Sequence, residues 1–411
     1  MSAEQWSQVN ERDIVNSENK LMANVFAKKP IVIERGKGAL VWDINGKEYV
    51  DCTSSYGVAL LGHSHPRIVK AVCEQAAKLI SCHAGFYNEK RTEFLQKLAN
   101  ITPHGLDKAF LSNSGAESVE CAIKLARRFS SKPEIIAVMG AFHGKTMGAL
   151  SATWDKKYRD PFLPLVPEIK HIPPDNLDKA REAITDRTAA FLVEPIRGEG
   201  GIRVPPDGYL QGLRELCDQK NILLIFDEVQ TGFGRTGTLF ACQHWGVIPD
   251  IMCLAKSLAG GLPLGVTVAK EDIMSKFKIG DHSTTYSGSP LVCAAASSAI
   301  DVLLAENLVD RAATLGAHFK AKLTILKNKH KTVKEVRGLG LMLGVEVKFD
   351  VLNAIFKTAE KGVLILDAGR NVLRFLPPLV IEKEQIDKAV SAVDSVLEEE
   401  ENARASSSPA N

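Results

Sequence analysis

The chain of 411 residues carries almost no net charge: 51 Lys and Arg stand against 49 Asp and Glu, a formal +2 at pH 7. No field strong enough to gather nucleic acid or an anionic membrane surface is built into it. It lacks the run of about 18 or more apolar residues that a spanning helix needs. Met1 to Asp13 holds no apolar stretch of the signal-peptide kind. The 8 cysteines are scattered, with no Cys-x-x-Cys pair. In a chain of this size they are expected to be buried small hydrophobes in a reducing compartment, neither disulfides nor zinc ligands. His63-Ser-His65 has no cysteine or acidic neighbour in sequence, which favours a structural turn over a metal site. There is no internal repeat. These absences lead to the expectation of a soluble cytoplasmic protein, and 45% hydrophobic content suffices for one large domain and a smaller one.

Short aliphatic runs alternate with helical patterns from about 106 to 270. The runs are 109–111, 135–139, 189–193, 222–226, 251–254 and 264–268, and the spacing of Leu210, Leu213, Leu216 and Cys217 is helical. Such alternation predicts an α/β fold, a mostly parallel sheet with helices on both faces and ligands at the carboxyl ends of its strands. The first fifty residues differ: 37–49 predicts a hairpin turned at Asn45-Gly46. After Pro290 a long apolar helix leads into α+β sequence, with helices near 308–328, 351–361 and 383–397 and strands near 331–348. The expected division is 1–55 and 306–397 as two parts of a small domain, 56–305 as the large domain, and 398–411 as a flexible tail.

The most informative pairing is Asp227, at the end of the apolar run 222–226, with Lys256, just past the run 251–254. A lysine amine can condense with the aldehyde of pyridoxal phosphate, and a carboxylate can keep the pyridine nitrogen of that cofactor protonated. Either residue alone is weak, since a strand-end Asp often only caps a turn. Three further strand-end loops point the same way. Asn113-Ser-Gly-Ala-Glu117 opens a helix and contains a Ser114/Glu117 capping box, while Gly115 and Ala116 leave room for a phosphate at the free N–H groups of the first turn. Phe142, in Ala141-Phe-His-Gly-Lys-Thr146, could stack on one face of an aromatic ring, with Val229 on the other and Gln230 bonded to the ring's phenolic oxygen. Glu194-Pro-Ile-Arg-Gly-Glu-Gly-Gly201 can carry two carboxylates into a cleft. The hydroxyl-rich loop 281–290 could donate to a phosphate.

Over about 25–395 the chain resembles the class III pyridoxal phosphate aminotransferases of fold type I. Within them it looks most like the acetylornithine branch and its [LysW]-aminoadipate or glutamate semialdehyde transaminases, suggested by 154–166 and 373–384. The resemblance implies Lys256 as the catalytic lysine and proton carrier, with Asp227 on the ring nitrogen. It places Gly115, Ala116, Phe142, Glu228, Val229 and Gln230 around the cofactor and brings Thr285 to it from the second subunit of a homodimer. Arg374 would bind the α-carboxylate of glutamate or 2-oxoglutarate, Glu199 would neutralise Arg374 when the ω-amine substrate binds, and Thr284 and Lys145 would face substrate. Where relatives of this branch usually have arginine and tyrosine, the chain has Lys145 and Phe26, which speaks against free ornithine.

The leading expectation is amino transfer between glutamate and the terminal semialdehyde of an aminoadipate or glutamate derivative joined to the LysW carrier protein, in lysine or arginine biosynthesis. The alternative is an acetylornithine or 4-aminobutyrate aminotransferase acting on free substrate. A basic rim, with Lys28, Lys29 and Lys145 as candidates, would favour the carrier. A catalytically dead homologue would have lost Lys256 or Asp227, and a semialdehyde aminomutase would not need the Glu199–Arg374 switch.

Overall fold

The computed structural model describes residues 10–407. After an N-terminal helix (Glu11–Leu21) come three strands, β1 (Ile33–Lys37), β2 (Leu40–Asp43) and β3 (Glu48–Asp51). β2 and β3 form the expected hairpin, and Gly46 takes the positive φ of 82° that its turn requires.

The central sheet follows: β4 (Lys108–Ser112), β5 (Glu134–Val138), β6 (Ile169–Ile172), β7 (Thr188–Val193), β8 (Leu223–Asp227), β9 (Ile251–Leu254) and β10 (Gly265–Ala269). Its order is β4-β10-β9-β8-β7-β5-β6, and β10 alone runs against its neighbours. The expected mostly parallel sheet is therefore present, with β6 as an edge strand that was not anticipated; its sequence Ile-Lys-His-Ile offers too short an apolar signal. β5, β7, β8, β9 and β10 are buried along their whole length. Alternate residues feed two cores, Leu223 and Ile225 on one face, Leu224 and Phe226 on the other, as both faces are covered by helices.

The C-terminal part supplies β11 (Val333–Leu339), β12 (Met342–Val347), β13 (Val363–Leu364), β14 (Leu366–Asp367) and β15 (Val372–Phe375). β11, β12, β15 and β14 form one antiparallel sheet, while β13 pairs in parallel with β3. The two ends of the chain thus share a sheet. The expected flexible tail from 398 is corrected by the helix Lys383–Ser407. Its acidic run is not simply solvated: Glu399 pairs with Lys361 at 2.8 Å, Glu400 with Lys357 at 3.2 Å, and Glu401 accepts the Thr332 N–H at 2.9 Å. Residues 408–411 lie outside the described part.

Two other expectations need revision. Six cysteines are buried, but Cys73 is exposed and Cys82 half-buried. The His63 turn does find an acidic partner, Asp51 at 2.7 Å, brought in from β3. Among the described residues no group of three or more His, Cys, Asp or Glu could hold a metal ion. No single helix there is long and apolar enough to cross a membrane.

Candidate active site

β8 and β9 are parallel neighbours, with Asp227 opposite Cys253, so both strands end at one edge of the sheet. Asp227 is the last residue of β8, and Lys256 opens the single turn that follows β9. Lys256 holds a φ of 47°, a left-handed value that costs a residue with a side chain about 1–3 kcal/mol and persists where the surroundings impose it. Both residues line a cleft of about 460 Å³. Desolvation lowers the pKa of the Lys256 amine, reinforced by Arg374 and opposed by the carboxylates of Glu199, Asp227 and Glu194.

The Asp227 carboxylate is held on both oxygens. The Val229 N–H donates to Oδ1 at 3.1 Å, and His143 Nδ1 meets Oδ2 at 2.8 Å. Both side chains are nearly inaccessible, and His143 Nε2 has no partner among the described residues. Glu194 follows β7 and accepts the N–H groups of Phe142 (2.8 Å) and Gly198 (2.9 Å). Desolvation nevertheless raises its carboxyl to about 7, with Asp227 adding to the rise and His143 opposing it.

At the other end of the cleft, Ser114 caps the helix Gly115–Ser130 by accepting the Glu117 N–H at 3.2 Å. The return half of the box is shifted by one residue, because Glu117 accepts the N–H of Asn113 at 2.6 Å. A Cβ on Gly115 would lie 2.8 Å from Val229 Cγ1, so the helix start and the strand-end loop pack together only with glycine there. This helix terminus, lining the cleft with free N–H groups, is chemically suited to a phosphate.

Arg374 lies on β15, fully buried, and gives Nη1 to Glu199 Oε1 at 2.5 Å. Its Nε and Nη2 find no acceptor among the described residues. The guanidinium carbon stands 5.5 Å from the centre of the Tyr56 ring. Burial alone would raise the Glu199 carboxyl, but the charge and hydrogen bond of Arg374 outweigh it and leave the pKa low.

Asp227, Lys256, Gly115, Ala116, Phe142, Val229, Gln230 and Glu199 all line this one cleft. Glu228 does not. Its buried carboxylate accepts from the Thr231 hydroxyl (2.6 Å) and from the N–H groups of Ala241 (2.8 Å) and Cys242 (2.7 Å), because alternation along the chain turns it away from Asp227 and Val229. Thr284 lies beside the start of the helix Gly115–Ser130, not at the Arg374 end, its hydroxyl accepting from the Asn113 amide at 3.0 Å. Thr285 and Lys145 are exposed, and Lys145 Nζ sits 4.8 Å above the Tyr158 ring. Phe26 lies outside the cleft, in a groove beside the helix Glu11–Leu21.

The residues present fit pyridoxal phosphate: a desolvated lysine amine, an anchored carboxylate, an anion-binding helix start and the buried acceptor Gln230 Oε1, unpaired among the described residues. His143 and Tyr56 belong to the site although no sequence pattern singled them out. Tyr56 had one structural signal, the left-handed backbone of Ser54, Ser55 and Tyr56; His143 had none beyond its place beside Phe142.

The family model for class III aminotransferases matches residues 22–397. An acetylornithine aminotransferase of Methanothermobacter thermautotrophicus is 44% identical over 94% of this chain and 98% of its own. A [LysW]-aminoadipate semialdehyde transaminase of Deinococcus radiodurans is also 44% identical, over 93% and 89%. The crystal structure of ornithine aminotransferase from Toxoplasma gondii superposes with a TM-score of 0.93 at 37% identity, covering 97% of this chain and 98% of that one. With strand ends, cleft and family model in agreement, the chain belongs to the class III aminotransferases, enzymes that use pyridoxal phosphate.

Proposed function

We propose that this enzyme moves an amino group between glutamate/2-oxoglutarate and the terminal carbon of an ornithine- or lysine-type amino acid derivative. The observation that carries the reading is Arg374, a buried guanidinium with one nitrogen on Glu199 and two nitrogens, Nε and Nη2, without acceptors among the described residues. Buried donors of this kind are costly unless something meets them. With Glu199 turned away, Arg374 offers a planar fork to the α-carboxylate of glutamate. With Glu199 in place the charge is cancelled, and an uncharged stretch of a longer amine can lie there.

Bound pyridoxal phosphate supplies the electron sink for the reaction. The chain supplies the rest. Gly115, Ala116 and the helix start hold the phosphate, and Phe142 and Val229 confine the ring. Asp227, fixed by His143 and the Val229 N–H, holds a proton on the ring nitrogen. Lys256, its amine pKa lowered by desolvation, carries the proton to and from the substrate carbon. Thr285 is exposed beside Tyr286, which is 67% exposed, and Arg91 ties this loop to the exposed Phe86 by bonding both the Gly288 and Phe86 carbonyls. We assign this apolar face to a second copy, which would bring Thr285 to the partner's phosphate site and make the dimer necessary for activity.

Free or acylated small substrates are favoured by the state of the expected basic rim. Lys28 is paired with Glu18 at 2.8 Å, Lys29 is desolvated so that its amine pKa is lowered against the opposing pull of Asp367, and Lys145 leans on Tyr158. A carrier-linked substrate is the second reading, motivated by the equal identity to the Deinococcus enzyme. The test is a single-turnover spectral assay of the loaded enzyme with acetylornithine, ornithine, 4-aminobutyrate and a carrier-linked lysine. Fast bleaching of the bound cofactor by acetylornithine or ornithine is expected; bleaching by the carrier-linked amine alone would overturn the preferred reading.

A further inference from the structure

Glu199 stands between Gly198 and Gly200, a pattern that in sequence suggests a loop built to move. The structure points the other way. Neither glycine has a positive φ. A Cβ on Gly198 would collide with the Gln230 amide, and one on Gly200 with the Gly140 carbonyl oxygen. Both are glycine because the backbone is pressed against its neighbours.

The loop is closed at its base by reciprocal bonds, Arg197 N–H to Arg203 O (3.1 Å) and Arg203 N–H to Arg197 O (3.0 Å). Its first limb is fixed to the large sheet's loops. Arg197 donates two bonds to Asp175, at 3.0 and 2.8 Å, and the Gly198 N–H meets Glu194. Its second limb is fixed to the C-terminal sheet. Arg337 Nε donates to Gly201 O at 2.7 Å, and Arg203 Nη2 donates to Glu346 at 2.7 Å. Glu346 also accepts from Arg337 Nη1 and Lys334 Nζ, each at 2.7 Å. Burial would raise this carboxyl, but Lys334, Arg337 and Arg203 hold it at about 2, so it stays an anion. β12 carries Glu346 and pairs with β15, where Gly344 faces Arg374. The sheet that carries Arg374 therefore also holds the loop that carries Glu199.

We propose that Arg337 and Glu346, assisted by Arg203, are positioning residues that fix the Glu199 loop to the strand of Arg374, so that the enzyme alternates between its two substrates by rotating one side chain on a stationary backbone. The inference rests on the Glu199–Arg374 reading above. Closure of the pair is needed for the amine substrate and must be undone for glutamate. Freeing the loop should therefore harm the two half-reactions unequally.

The experiment measures both half-reactions of the loaded enzyme, with glutamate and with the best amine of the substrate panel. Arg337→Met should raise KM for the amine about tenfold, the effect of losing its one hydrogen bond to the loop itself, that to Gly201 O, with glutamate within about twofold. Arg337→Lys, which restores the charge beside Glu346, should recover part of the loss. Glu346→Gln keeps the shape and serves if Arg337→Met does not fold. Glu134→Gln is the structural control, since Glu134 begins β5, at the end of the strands opposite the cleft, where it accepts from Thr188 at 2.5 Å. It should lower stability without shifting the ratio. Equal losses in both half-reactions for the Arg337 and Glu346 variants, or no change, overturn the proposal. Glu199→Gln separates the two levels: if it leaves the ratio unmoved, the switch itself is wrong; if it moves the ratio and Arg337→Met does not, only the anchoring is wrong.

Discussion

Replacing Gly115 by alanine should separate cofactor binding from folding. The added Cβ would lie 2.8 Å from Val229 Cγ1 and 3.1 Å from Cγ2, well inside the usual ~3.5–4.0 Å carbon contact. Val229 must give way, and its open side is the cleft. Overpacking of this kind costs about 1–3 kcal/mol, which corresponds to about 5- to 150-fold in affinity. Alanine in the first turn also favours the helix by up to about 1 kcal/mol relative to glycine. The cofactor-free protein should therefore melt at nearly its original temperature, while titration with pyridoxal phosphate shows the weakened binding. Unchanged affinity together with a lowered melting temperature would mean that the core absorbs the strain, and that Val229 does not confine the ring.

Other outcomes follow from the same geometry. Glu194 has a folded-state pKa of about 7 against 4.5 unperturbed. The folded protein thus holds an extra proton between these values, and the associated stability, complete below 4.5, is lost as pH rises through 7. In the cofactor-free protein the melting temperature of wild type minus Glu194→Gln should fall across that window; a flat difference would contradict the buried-acid assignment. His143→Leu removes the hydrogen bond to Asp227 Oδ2 and should weaken cofactor binding by about 1.5–3 kcal/mol in the same titration. Lys256→Ala should abolish both turnover and the absorbance of the lysine-bound cofactor. Thr285→Ala should weaken cofactor binding in a dimer seen by sedimentation; unchanged affinity would remove the partner's contribution.

The convergence of Asp227 and Lys256 on one cleft was legible because local pattern carries it. A strand must end where its apolar run ends, and in a parallel sheet successive ends share an edge. Glu228 was misjudged for the same reason that Asp227 was found, since adjacency in sequence is opposition in space once the chain is extended. His143 and Asp227 meet across β5, β7 and β8, and Glu346 on β12 meets Arg203 from the loop after β7. Such contacts depend on packing that no local period encodes. The helix Lys383–Ser407 was cut short for a related reason, because the glutamates that suggested a solvated tail find counter-charges in Lys357 and Lys361 and a donor in the Thr332 N–H.

Arg374→Lys tests the central claim most directly. Lysine keeps the charge but loses the planar fork. Measured by single-turnover bleaching and recovery of the bound cofactor, KM for glutamate should rise about 10- to 100-fold, the cost of one or two charged hydrogen bonds. The amine half-reaction should stay within a few-fold. Equal losses in both half-reactions would show that Arg374 does not discriminate the two substrates, and the proposed alternation would fall.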